Sequence, residues 1–291
     1  MIPLAGVLLV FAAVIGGFLL EHGEMRLLFQ PAEFVIICGA AAGTTMVANP
    51  PRVLRGMWRE ALAVVRRKRF TREEYRETLQ ALYALFQFAR KTSAAALDDI
   101  LDHPEGSAAF RGASAVVRDR EIREFVCDTL RTAGSGVVSA ADLDRMLEQD
   151  IEIHEHGLSV PAESLGSLGE TLPGLGIVAA VLGVLITMGA MGGSPKQVGV
   201  KVAAALVGTF LGILLSYGFV IPLADHIRVL NGEEDQYYCV LRAALVAHAR
   251  GVTPRLAVEF ARRTIPEDVR PEFSEMERVF RPLVRVIEER R

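Results

Sequence analysis

The chain carries almost none of the signatures that mark enzymes or nucleic-acid-binding proteins. It has no P-loop, no G-x-S-x-G elbow and no G-x-G-x-x-G fingerprint, so nucleotide-driven work and hydrolysis have no support. The H-E-x-x-H spacing of zinc proteases is also missing. His154-Glu155-His156 puts two imidazoles at i and i+2, on different faces of a helix, and reads as a solvated acidic face without a metal. Three cysteines (Cys38, Cys127 and Cys239), odd in number and far apart, imply neither a disulfide framework nor a metal motif. A formal net charge of −3 over 291 residues offers no basic field that would point to nucleic acid. No solenoid-type repeat is present.

The most telling absence is local. From Thr171 to Pro195 there is no charged residue, and none from Val202 to Ala224. Each run exceeds the roughly 18–20 residues a helix needs to cross a bilayer. A short Gly/Pro/Lys turn joins them, so Glu170 to Pro222 reads as a transmembrane hairpin. In that hairpin Pro173 and Pro222 fall at one depth, on the side away from the turn. Ile2 to Leu20 is a further uncharged run, with no basic n-region and no small-x-small cleavage site, and is expected to be a span and not a leader. A polar loop follows (Glu21, His22, Glu24, Arg26, Glu33), then a second run, Phe34 to Asn49, lengthened by Pro31 and Ala32.

Pro50-Pro51 ends that run, and a basic burst begins: Arg52, Arg55, Arg59, Arg66, Arg67, Lys68, Arg69 and Arg72 against the single acid Glu60. The positive-inside rule makes this end cytoplasmic, and with four spans both termini as well. The expected architecture is all-α, a polytopic membrane protein with four transmembrane helices and a helical cytoplasmic domain. Its segments are 1–50 (hairpin), 51–169 (cytoplasmic domain), 170–224 (hairpin) and 225–291 (cytoplasmic tail).

Within the charged blocks the periodicity is helical. Leu79, Leu82, Tyr83, Phe86 and Ala89 recur at three-four spacing, and Thr71-Arg-Glu-Glu reads as an N-cap with acids in the first turn. His103 to Gly106 is expected to break this helix. Arg118 to Leu130 forms another, and Ser139 caps an acidic helix that runs to about Glu163. In the tail, Asn231-Gly232, Gly251 to Pro254 and Pro266 read as breaks, and Pro271 to Arg291 as a charged, partly mobile end.

The candidate functional residues follow from the membrane setting. Gly39-x3-Gly43, Gly189-x3-Gly193 and Gly208-x3-Gly212 each put two glycines on one helix face, where helices can approach closely in lipid. No span has an ionisable group in its middle, although an ion carrier needs one; either no ion moves or a partner chain supplies the carboxylate. The polar groups available are Thr187, Thr209, Ser216 and Tyr217. Hydroxyls in spans usually bond their own helix, and Thr209, beside Gly208 and Gly212, is the best candidate for a path. Pro173 and Pro222 suggest a hinge. Arg90-Lys91 and Asp98-Asp99 bracket a small-residue stretch; with residues 91 and 98 two turns apart on one face, they form a candidate electrostatic docking surface.

The residues Leu172 to Val184, Leu206 to Leu223, Ala257 to Thr264 and Gln30 to Ala40, in that setting of four spans, resemble the MotA family of bacterial flagellar motor stator proteins. The wider superfamily includes ExbB and TolQ, which generally have three spans. The resemblance runs in order along nearly the whole chain. It implies a proton-conducting subunit, with no cofactor, that forms a homopentamer in the inner membrane around MotB. MotB would supply the missing aspartate and the peptidoglycan anchor, and the complex would exert torque on the rotor protein FliG. It further implies that Pro173 and Pro222 couple ion passage to movement and that Thr209 lines the path. Ala180 stands where sodium-driven relatives carry threonine, which favours protons. Arg90 and Asp98 or Asp99 would face the rotor.

Overall fold

A computed structural model describes residues 2–64, 70–92, 94–102, 116, 119–189 and 195–288. Among them there is no strand. The expected break at His103 to Gly106, and Gly193, lie outside the described residues. The chain divides into two compact units, residues 1–67 with 156–231 and residues 68–155 with 232–291.

The first unit holds the apolar runs. The helices are α1 (Ile2–Leu20), the single turn α2 (Met25–Leu28), α3 (Pro31–Ala48) and α4 (Pro51–Ala63). They are joined by the second part of α8 (Ala140–Met188), by α9 (Pro195–Leu215), and by a π-turn (Ser216–Val220) that leads into α10 (Ile221–Ala249). Four of the described helices are long and apolar enough to cross a membrane, one for each run, and the chain is a multi-pass membrane protein. Pro31 and Pro51 open α3 and α4 at the first helical position, where the missing N–H removes no intrahelical bond. Ile37, Ala41, Leu172 and Ala179 form one buried cluster of this unit, and Val53, Met57, Ala162, Leu165, Ala224 and Ile227 another.

The second unit is a soluble-type helical core. It contains α5 (Arg72–Lys91), α6 (Ala94–Asp102), α7 (Arg120–Gly134), α11 (Pro254–Thr264) and α12 (Phe273–Glu288), with the first part of α8 and the later part of α10. Thr71 makes a full capping box: its hydroxyl accepts from the Glu74 N–H at 3.3 Å, and the Glu74 carboxylate accepts from the Thr71 N–H at 3.0 Å. The expected face is buried, with Leu79, Leu82 and Phe86 at zero exposure against Tyr237, Leu241 and Leu245 of α10. Deep inside, the Thr78 and Tyr237 hydroxyls share a 2.7 Å hydrogen bond. Gly136 and Gly251 both take positive φ (67° and 78°) just beyond α7 and α10, the left-handed exit that glycine permits.

In the helices themselves the structure departs from four expectations. The acidic helix does not end near Glu163; α8 continues through Pro161 and Pro173 to Met188. The Asn231-Gly232 break does not occur, and α10 runs through it. There the Asn231 side-chain amide donates to the Leu158 carbonyl at 2.9 Å, so a residue with turn-forming chemistry is used to tie two helices together. The charged end forms α12, whose Met276 and Phe280 are buried in the second unit. Lys91 and Asp98 do not share one helix face, because α5 stops at Lys91, Thr92 is extended, and α6 begins afresh at Ala94.

Leu82 is fully buried, and its truncation opens a cavity. Leu82→Ala should lower stability by about 2–5 kcal/mol. Unfolding of the detergent-solubilised protein, followed by circular dichroism, measures this directly.

Candidate functional site

The site of the first unit is the seam where α8 and α9 meet. Three small residues on α8 (Gly176, Ala179, Gly183) face Ala205, Gly208 and Gly212 on α9. The approach is backbone to backbone. A Cβ added at Gly212 would lie 2.6 Å from the Leu172 carbonyl, and one at Gly176 would lie 2.7 Å from the Gly208 carbonyl. In lipid no hydrophobic force drives helices together, so van der Waals contact between small residues has to do it. Gly208 and Gly212 therefore act as their spacing suggested. Gly39 and Gly43 meet nothing within 4 Å, and Gly189 meets only carbonyls of its own helix, so these glycines build no seam inside the chain. Gly176 and Gly183 went unread in the sequence; their seven-residue spacing, two turns on one face, was the available signal.

The hydroxyls separate into three kinds. Thr187 bonds back to the Gly183 carbonyl at 2.8 Å, an ordinary intrahelical bond. Thr209 is half-buried on the seam, its Cα 3.3 Å from where a Gly176 Cβ would stand, and its hydroxyl makes no hydrogen bond among the described residues. Ala180 is also half-buried there, its backbone N 3.2 Å from a Gly208 Cβ position. The third kind is Ser216, at zero exposure, which donates to the Gly169 carbonyl at 2.7 Å. Gly169 stands four residues before Pro173, so its carbonyl is the one that proline leaves without an intrahelical N–H. Ser216 of the neighbouring helix supplies the missing donor.

Ser216 also opens the π-turn, in which the Ile221 N–H bonds back to the Ser216 carbonyl, five residues earlier. The wider turn absorbs the extra residue just before Pro222, whose ring would otherwise press on the preceding turn. The two prolines are not at one depth. Gly169 faces Ile221, while Leu172 faces Gly212, so Pro222 lies more than one helical turn beyond Pro173. The hairpin is staggered because Ser216 pairs with the carbonyl four residues before Pro173, and not with Pro173 itself. Phe219 of the π-turn packs on Phe11 of α1, ring centroids 4.6 Å apart.

Glu33 is another residue that sequence reading misplaced. It belongs to the first turn of α3 and not to the polar loop, and only 7% of it is exposed. The signal was Pro31 at the first helical position with an acid two residues on.

In the second unit, Arg90 and Lys91 are exposed at the end of α5 and Asp98 is exposed on α6; Asp99 is helical beside it. Beneath Arg90, the His248 ring stacks on Phe86, centroids 4.3 Å apart and planes 4° from parallel. Burial first, and then the positive charge of Arg90, pushes the His248 pKa down to about 4. His154 is not part of a solvated face: it is half-buried, its Nε2 lies 3.2 Å from the Glu234 carboxylate, and its ring packs on Tyr238. A Glu121 oxygen joins them, all within 4.8 Å, and Glu121 and His154 line an open cleft of about 300 Å³.

Fold and seam together define a polytopic α-helical membrane protein with a helix pair packed on small residues. Residues 4–93 match the Motility protein A N-terminal model, and residues 117–238 match the MotA/TolQ/ExbB proton channel family model. Motility protein A of Escherichia coli (strain K12) is 36% identical over 277 residues, covering 95% of this chain and 94% of the relative. Chemotaxis protein LafT of Vibrio parahaemolyticus is 38% identical over 274 residues, covering 94% and 96%. The chain belongs to the MotA/TolQ/ExbB proton channel family. Its fold is that of solved MotAB chains: a chain of the C. jejuni MotAB structure superposes with a TM-score of 0.74 at 19% identity, covering 91% of this chain and 96% of the other. A chain of the Bacillus subtilis flagellar MotAB stator complex gives 0.73 at 22% identity, with the same coverage.

Two expectations follow from this geometry. Ser216→Ala leaves a buried carbonyl unpaired and should cost about 1–3 kcal/mol. In a Pro173→Ala background, where residue 173 regains its N–H, the cost should shrink, and a double-mutant cycle on thermal unfolding reads that coupling. For His248 the folded pKa, about 4, lies below the ordinary 6.5. Its contribution to stability is therefore complete above about 6.5 and is lost as pH falls toward about 4. The unfolding midpoint of the solubilised protein should fall over that window, and His248→Phe, which keeps the ring stack, should flatten the fall.

Proposed function

We propose that this chain is the proton-conducting stator subunit of a bacterial flagellar motor. The observation that carries the reading is its full-length likeness to Motility protein A, at 36% identity over 277 residues. The match of residues 4–93 to the Motility protein A N-terminal model favours a motor over an ExbB- or TolQ-like energiser. The seam supports an ion path: among the described residues the Thr209 hydroxyl makes no hydrogen bond, Ala180 lies on the same seam, and no charged residue lies between Thr171 and Gly189 or between Val202 and Ala224. A path of that kind needs a carboxylate from another chain. The solved neighbours are MotAB complexes, which supports a MotB-type partner and an assembly of several chains.

In this reading five copies ring the partner in the inner membrane, with both termini in the cytoplasm. The basic burst after Pro51 supports that orientation. The exposed faces of Gly39 and Gly43 are available for contacts between chains. A proton that reaches the partner's aspartate removes a charge beside the seam. The α8–α9 pair then shifts about Pro173 and Pro222, where one backbone bond is replaced by Ser216 and another is displaced by the π-turn. Arg90, Lys91, Asp98 and Asp99 offer charges to the rotor protein FliG. A charge that crosses 100 mV delivers about 2.3 kcal/mol.

Cells that express the chain with its partner, after the partner's plug segment is removed, should acidify through proton influx. Pro173→Leu and Pro222→Leu should insert normally and abolish swimming. Retained motility in both variants would refute the hinge, and absence of influx would refute conduction.

A further inference from the structure

We propose that Glu33 is a proton-binding site at the head of the α8–α9 seam, one that loads the path before the partner's carboxylate is reached. The inference rests on the proposed conduction of protons.

Glu33 projects from the first turn of α3 into the seam. A Cβ at Gly183 would lie 3.2 Å from its Oε1, and a Cβ at Gly208 would lie 2.5 Å from its Oε2. Each carboxyl oxygen therefore occupies the space left by a glycine, one on each helix of the pair. Oε2 is sealed from solvent and has no hydrogen-bond partner among the described residues. Gly208 precedes Thr209 in the chain, and Gly183 lies three residues beyond Ala180. The carboxyl group thus sits over the two residues assigned to the path, on the side of the turn between α8 and α9.

Among the described residues the surroundings hold no compensating charge. Along α8 there is none between Thr171 and Gly189, and α1 has none at all. On α9 the nearest is Lys201, exposed and one turn before Ala205, and on α2 it is the exposed Arg26. On α3 Glu33 is the only charged residue. The positive end of the α3 dipole gives partial relief to a carboxylate at this position. A buried charge with no partner remains expensive, and ionisable groups retained at such places in membrane proteins mark ion pathways. Among the described residues Glu33 belongs to no group of His, Cys, Asp or Glu side chains that could hold a metal ion, whereas a proton needs only the one free lone pair. The step balances simply. A proton from the outer side forms an O–H bond on Oε2 and neutralises the group. That bond breaks as the proton passes inward, and Glu33 returns to its charge of −1.

The test uses the whole stator complex with its partner. In the wild type, the apolar reagent dicyclohexylcarbodiimide, which adds to protonated buried carboxyl groups, should label Glu33 in a manner that declines as external pH rises; exposed Glu21 serves as control. Proton influx through the plug-deleted complex should fall several-fold in Glu33→Gln and lose its dependence on external pH, while Glu33→Asp retains most of both. No labelling of Glu33 at any pH overturns the proposal. So does Glu33→Gln influx that matches wild type in size and pH profile, or influx that follows external sodium in place of pH. A wild-type complex that shows no influx fails the conduction reading instead, and the carbodiimide result then stands separately as the measure of the site.

Discussion

One hydrogen bond organises the membrane unit: the 2.7 Å contact from the Ser216 hydroxyl to the Gly169 carbonyl. Proline inside a helix normally leaves a polar group with nothing to bind, and inside a bilayer no water can take its place. Pro173 is tolerated because the neighbouring helix brings a donor to that carbonyl. The same serine starts the π-turn that accommodates Pro222. Both irregularities of the hairpin therefore depend on a single buried residue, and each is a place where the helix holds fewer of its own bonds.

That bond sets the register of everything further along the pair. With Gly169 opposite Ser216 and Ile221, Leu172 and Gly176 fall against Gly212 and Gly208, and Gly183 falls against Ala205. A shift by one residue would bring Cβ atoms against backbone where only glycine now fits. On that seam the Thr209 hydroxyl makes no hydrogen bond among the described residues, and the glycines at 183 and 208 leave space that the Glu33 carboxyl fills. Packing, polar satisfaction and the candidate path are consequences of one alignment.

The second unit obeys different rules. Its stability comes from amphipathic helices that bury one face in water-driven packing, with Tyr75, Leu79, Leu82, Phe86, Tyr237, Leu241 and Leu245 at its centre. Its ion pairs, such as Arg242 with Asp144 at 2.7 Å and Arg262 with Glu259 at 2.7 Å, lie at the margin of that core. Hydrogen bonds from Arg262 and Arg263 hold the Glu259 carboxyl below its usual range, which keeps this clamp charged near neutrality. The exposed charges of α5 and α6 are thus mounted on a rigid packed support.

The sequence by itself determined the spans, the membrane class and the start of α5, because those follow from local quantities: run length, charge, and the capping chemistry of Thr71. It also made Gly208, Gly212 and Thr209 stand out, since their spacing places them on one face. What only the tertiary structure decided was every pairing between distant residues. Asn231-Gly232 looks like a turn until the Leu158 carbonyl is seen to accept from Asn231. Glu33 looks like a loop acid until α3 folds it between two glycines 150 and 175 positions away in the chain. Pro173 and Pro222 look matched in depth until Ser216 fixes the stagger between their helices. A proline's free carbonyl has no local signal for its donor. That donor is found only where another helix happens to carry it, and helix register is a property of packed surfaces, which no single segment contains.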